Sequence, residues 1–145
     1  MKSSWTSHVR LDYRFAFRAV VLILIAILAY LVLKPVQITV NDKYIRISGL
    51  YGVTVRVEDI LELKHTEELP PIISRLNGID LFGLSRRGIY QLKDIGRARM
   101  ISYSTGGPFI LMNAGSEWIV INFKSPDETE SLYRKLDEVI NKTDK

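Results

Sequence analysis

Residues 19–33 read AVVLILIAILAYLVL, fifteen apolar or aromatic side chains in succession, with Arg18 in front and Lys34-Pro35 behind. A helix that is apolar on every side belongs in a large protein interior or in lipid, and a chain of 145 residues has little interior in which to hide one. Fifteen residues fall short of the roughly 20 that a helix needs to cross about 30 Å of hydrocarbon. Counting back to Phe15 adds a turn interrupted only by Arg18, whose long side chain can snorkel to the headgroups. The span then reaches about 28 Å at 1.5 Å per residue. A transmembrane helix is therefore expected over residues 15–34. Cleavage as a signal peptide would need small residues near its end, and Tyr30, Leu31, Val32 and Leu33 are all large. The expectation is an uncleaved, single-pass anchor in the cell membrane. Residues 19–33 hold no glycine, proline or charge, so the span lacks the ionisable residue or broken helix that transport and proton relay require.

Charge is distributed unevenly around this anchor. Residues 1–14 form a basic tail, and residues 1–18 carry Lys2, Arg10, Arg14 and Arg18 against Asp12, a net +3 out of the chain's +4. The remainder is nearly neutral, whereas a nucleic-acid-binding domain is normally far more basic, so no nucleic-acid partner is expected. The absence of cysteine excludes disulfides, thiolate metal sites and thiol catalysis. Four basic residues precede the span, and three (Lys34, Lys43, Arg46) fall in the twenty residues after it. The positive-inside rule then favours a cytoplasmic N-terminus and a domain outside.

After the anchor the periodicity becomes two. Gln37–Val40 and Tyr44–Ser48 alternate around Asn41-Asp42, a hairpin signature. Val53–Val57 and Ile60–Lys64 continue the pattern until Pro70-Pro71 stops it. Residues 72–88 read as a long loop or a distorted strand pair, with Gly78, Gly83 and Gly88 spaced five apart. Ile89–Lys93, Ala98–Tyr103, Phe109–Asn113 and Trp118–Phe123 are further strands, the last three separated by glycine-bearing turns. The period then changes to 3.6. Ser125-Pro126-Asp127-Glu128 combines an N-cap serine, a proline at the first helical position and acids in the first turn. Leu132, Tyr133, Leu136, Val139 and Ile140 follow on one face.

The sum is a mainly β domain over residues 36–142: about seven or eight antiparallel strands, curled into a sandwich or partly open barrel and closed by a C-terminal amphipathic helix. The segments ITVNDKYIRISGLYG (38–52), VEDILEL (57–63), ELPPI (68–72), NGIDLFGL (77–84) and NFKSPDETESLYRKL (122–136) resemble the bacterial pleckstrin-homology (PH) domain family over residues 36–140. The resemblance implies a PH-like fold, often found behind membrane helices. It carries no catalytic residues onto this chain, and fold alone does not fix function.

Enzymatic chemistry finds little support. His8 precedes the span, and His65 stands alone beside Lys64 and Glu67. No HExxH, GxSxG, P-loop or EF-hand spacing occurs. Neighbouring acids such as Glu67-Glu68 and Glu58-Asp59 point to opposite faces of a strand and read as solvating residues. No enzyme activity, cofactor or metal is expected. The notable constellation is basic: Arg75, Arg86, Arg87, Lys93, Arg97 and Arg99 against Asp80 and Asp94, a net +4 between flanks that net −1 (34–74) and −2 (100–145). Glycines let backbone N–H groups approach an anion, and Ile79, Leu81, Phe82 and Leu84 interleave with the charges. These six cations are the candidate ligand-binding residues, set against the plainer reading of arginines that keep a sheet edge soluble. The expected function is a non-catalytic binding, scaffold or regulatory module at the membrane with a protein or peptide partner. The alternatives are anionic lipid-headgroup binding and an envelope sensor or immunity-type protein that holds an extracellular peptide.

Because the chain has no native cysteine, single cysteines at Ser4 and Ser104 test the orientation. In intact cells a membrane-impermeant maleimide is expected to label position 104 and not position 4. The opposite pattern places the domain in the cytoplasm.

Overall fold

The computed structural model describes residues 13–143. The basic tail expected over 1–14 lies outside the described residues up to position 12; Tyr13 and Arg14 already belong to the first helix. The chain divides into two compact units after Pro35. The first contains α1, Tyr13–Leu33, whose 21 residues reach about 31 Å. That helix is long and apolar enough to cross a membrane, and none of its residues is buried against protein.

The second unit is mostly strand. β1 (Ile38–Val40), β2 (Tyr44–Ile47) and β3 (Val53–Arg56) form an antiparallel three-stranded sheet. A 3₁₀ turn at Val57–Asp59 leads to β4 (Glu62–Thr66), β5 (Ile72–Asp80), β6 (Arg86–Leu92), β7 (Gly96–Ser102), β8 (Phe109–Asn113) and β9 (Trp118–Asn122). These six make a second sheet in the order β4-β8-β9-β7-β6-β5. The helix α2, Pro126–Thr143, ends the fold. The mainly β architecture, with an apolar helix in front and an amphipathic one behind, is the one the periodicity leads to. The two sheets share no strand pairing, so they are not closed into a barrel.

Two features depart from a simple antiparallel meander. Residues 72–88 carry two strands of a bulged hairpin, the distorted strand pair rather than the long loop of the two expected readings. In addition, β9 inserts between β7 and β8, so β7 and β9 run parallel, Ala98 facing Trp118 and Ser102 facing Asn122. The segment after β7 must therefore pass over the end of β9 to start β8. Asn122 braces that crossing. Its Oδ1 accepts the Tyr103 N–H at 3.1 Å, and its Nδ2 donates to the Gly106 carbonyl at 2.9 Å. The side chain is fully buried with both ends of its amide satisfied, as a buried polar group requires.

The inner strands of the large sheet, β6 to β9, are buried on both faces. On one side Ile101, Ile110, Met112, Ile119 and Ile121 pack with Ile45, Ile47, Val55 and Val57 of the small sheet and with Leu136 and Val139 of α2. On the other, Tyr90, Leu92, Met100, Phe109, Leu111 and Val120 form a second cluster with Leu69, Ile95 and Trp118 at its margin. Trp118 thus lies on the face opposite α2, where Lys64 Nζ stands 5.4 Å from its ring centre. Burial on both faces explains why β8 (FILMN) and β9 (WIVIN) are near-continuous apolar runs rather than alternating ones. The start of α2 is tied to β9 through Thr129, whose buried hydroxyl accepts the Phe123 N–H at 3.0 Å.

Leu136 is completely buried, so Leu136→Ala is expected to cost about 2–5 kcal/mol, read as a lowered urea midpoint. An unchanged midpoint refutes α2 as a structural wall of the core.

Candidate functional site

The β5–β6 hairpin is the part of the domain least absorbed into the core. β5 is the outermost strand of the large sheet, and seven of its nine residues are exposed. Ile73 and Leu76 are 64% and 56% exposed and fall at the two register shifts where β5 slips against β6, between Ile72 and Ser74 and between Arg75 and Asn77. An outer strand leaves every second backbone N–H and C=O without a ladder partner. The spacing of Gly78, Gly83 and Gly88 has a simple origin. Gly78 and Gly88 face each other across the hairpin, and Asp80 faces Arg86. Gly83 lies at the centre of symmetry. A Cβ on Gly78 or Gly88 would run into the opposite backbone, so this pair permits the strands to approach. Equal spacing about a midpoint is the signal that would have identified the hairpin.

The tip is rigidly specified. Asp80 Oδ1 accepts the Gly83 N–H at 2.7 Å, and Asp80 Oδ2 accepts from Arg86 Nε at 3.2 Å. Leu81 N–H donates to the Ser85 carbonyl and Leu84 N–H to the Leu81 carbonyl. Phe82 at the apex has φ +53° and is 98% exposed. A bulky side chain in the left-handed region is uncommon and costs energy, so this turn holds a phenyl ring in solvent against local preference.

The six candidate cations do not form one patch. Arg75 and Arg86 occupy one face of the hairpin, in register with Tyr90 and Asp80. Arg87, Arg97 and Arg99 project from the other face, since their neighbours alternate. Arg87 is buried and stacks on the Tyr103 ring at 4.9 Å. Arg99 donates to Glu117 at 2.7 Å and to the Tyr51 carbonyl at 3.2 Å, joining the two sheets, while Arg97 lies 3.9 Å from the same carboxylate. Lys93 is exposed in the β6–β7 turn. Among the described residues, Arg75 and Lys93 have no ion-pair partner. Arg86 is matched by Asp80, six residues away in the chain, and Arg99 by Glu117, which the β7–β9 pairing brings beside it.

Tyr90, centred in this hairpin, is buried with its hydroxyl unbonded among the described residues. Burial pushes its phenol above the ordinary tyrosine range; Asp80 pushes in the same direction, and Arg75 and Arg86 pull back. Among the described residues no group of three or more His, Asp or Glu side chains is placed to hold a metal ion. His65, which the sequence leaves isolated, meets Glu130 at 2.9 Å and tilts over Tyr133 at 5.1 Å, tying β4 to α2.

In comparisons with protein-family models, curated proteins and solved structures, the chain matches none.

The unbonded hydroxyl yields a prediction. Tyr90→Phe removes a buried polar atom and is expected to stabilise the domain by about 1 kcal/mol at neutral pH. In the parent, the unfolded phenol ionises near pH 10 and the folded one higher, so stability is lost as pH rises past about 10. Denaturant titrations should show that alkaline loss shrinking in the variant. A variant less stable than the parent would mean that the hydroxyl has a partner.

Proposed function

We propose that this protein is a non-catalytic, single-pass membrane protein whose β domain is a binding module, acting as a scaffold or regulator for a protein partner at the cell membrane. The observation that carries this reading is β5: a nine-residue outer strand with exposed Ile73 and Leu76. Such a strand offers main-chain hydrogen bonds to an added strand, and its apolar side chains supply selectivity. The bulges and Arg75 fit this use, because they discourage indiscriminate edge-to-edge pairing. The apolar α1 supports the membrane location. Within this proposal we also keep the resemblance to bacterial PH domains, which the order of many strands followed by one closing helix supports. On this reading the parallel β7–β9 pair and the separate sheets are departures from the expected antiparallel layout.

The test is photocrosslinking in cells from a reactive amino acid at Ile73 or Leu76, with Ser116 in the β8–β9 turn as control. A discrete adduct from positions 73 and 76, absent at 116 and abolished from 73 by Leu76→Arg, is expected. No adduct at either β5 position overturns the proposal.

A further inference from the structure

The point at which the chain enters the β domain is fixed by Val36, whose N–H donates to Tyr103 Oη at 2.7 Å. Three surface features gather at that end. The β2–β3 turn lies there, because the Ser48 N–H bonds the Gln37 carbonyl and a Cβ on Gly49 would touch the Val36 side chain. The crossing loop 103–108 starts at Tyr103 itself. The β5–β6 tip is there too, because Arg87 stacks on Tyr103, Arg86 pairs with Ser102, and a Cβ on Gly83 would press on Thr105. Leu50 from the turn, and Phe82 and Leu84 from the tip, are each more than half exposed. The hairpin behind the tip carries the exposed Arg75, and Arg86 beside Asp80.

Two residues, Lys34 and Pro35, separate Leu33 from Val36. A span that ends at Leu33 therefore keeps Val36 within about 11 Å of the bilayer, whichever way the domain turns. We propose that this end of the domain is a lipid-docking surface: Leu50, Phe82 and Leu84 enter the interface of an anionic bilayer, and Arg86 and Arg75 behind them meet its headgroups. Apolar side chains backed by cations bind such surfaces through combined burial and charge attraction. The inference rests on α1 spanning the membrane and is independent of the partner strand at β5. Docking by the tip would leave β5 free along its length. It also accounts for Phe82, held in a left-handed conformation that suits asparagine far better: the ring is presented at a local cost because it is used.

The full chain carrying a single cysteine at Ser85, labelled with an environment-sensitive fluorophore, is reconstituted into phosphatidylcholine vesicles with or without phosphatidylglycerol. A nitroxide on the lipid acyl chains serves as quencher, and Ser116, at the opposite end of β9, is the control site. Flotation with the vesicles is scored first; a chain that does not float refutes the anchor and the docking together. For a floating chain, quenching at position 85 is expected to exceed that at 116 severalfold with phosphatidylglycerol present. It should fall without that lipid, and be lost in Phe82→Asn/Leu84→Ser. That double variant should also be at least as thermally stable as the parent, since asparagine accepts the turn. Equal quenching at 85 and 116, or unchanged quenching in the double variant, overturns the docking surface and leaves the anchor standing. Quenching indifferent to phosphatidylglycerol overturns its anionic character.

Discussion

The insertion of β9 between β7 and β8 is the constraint on which the rest of the domain depends. Placing β9 there makes it the most enclosed strand, with neighbours on both edges and apolar clusters on both faces. It also forces the chain to cross from β7 to β8 over the end of β9, through a segment whose backbone groups have no ladder to join. Asn122 meets that need from within the core, accepting from one side of the crossing and donating to the other. An aspartate would lose the donor to the Gly106 carbonyl, and a leucine would lose both that bond and the acceptor for the Tyr103 N–H, each worth about 1 kcal/mol. Tyr103, held by this brace, in turn receives the chain at Val36 and carries the guanidinium of Arg87. One buried amide thus connects the core, the entry of the chain and the base of the hairpin.

Most of the elements are legible in the sequence, for physical reasons. Period-two alternation marks β1, β2 and β3 because one face of the small sheet is buried. Ser125-Pro126-Asp127-Glu128 marks the start of α2 because helix ends need special chemistry. What alternation cannot express is which strand neighbours which. The parallel β7–β9 pair arises from the path of residues 103–108, and nothing in the periodicity of Gly96–Ser102 or Trp118–Asn122 distinguishes a parallel neighbour from an antiparallel one. The apolar content of FILMN and WIVIN does carry one usable sign, since continuous burial on both faces belongs to central strands. The stretch 72–88 looked irregular for a different reason. Its bulges break the alternation at Ile73 and Leu76, and its glycines serve a close approach that no side-chain pattern records.

The candidate site divides along the same line. Net charge correctly locates the basic stretch but not its geometry. Adjacent Arg86 and Arg87 point to opposite faces of β6, as strand geometry requires, and a count of charges merges them. Pairing is equally invisible in composition: Glu117 is eighteen residues from Arg99 and meets it only because β9 lies beside β7. The pair is mostly shielded from solvent and hydrogen-bonded, so Arg99 is better understood as a clasp between the sheets, through the Tyr51 carbonyl, than as a ligand contact. Arg87, buried on Tyr103, is likewise a structural cation.

With those two withdrawn into the architecture, the surface chemistry of the hairpin becomes simpler. Its exposed edge is apolar and backbone-rich, its apex is apolar, and its remaining charges stand behind them. An ordinary hairpin would place asparagine or glycine at the left-handed apex; here glycine follows and phenylalanine takes the strained position. The Asp80 side chain, bonded at once to the Gly83 N–H and to Arg86, keeps the turn from relaxing and folding that ring onto the sheet. Stability alone gives no reason for such a turn. The proposed docking of this apex on a bilayer gives one.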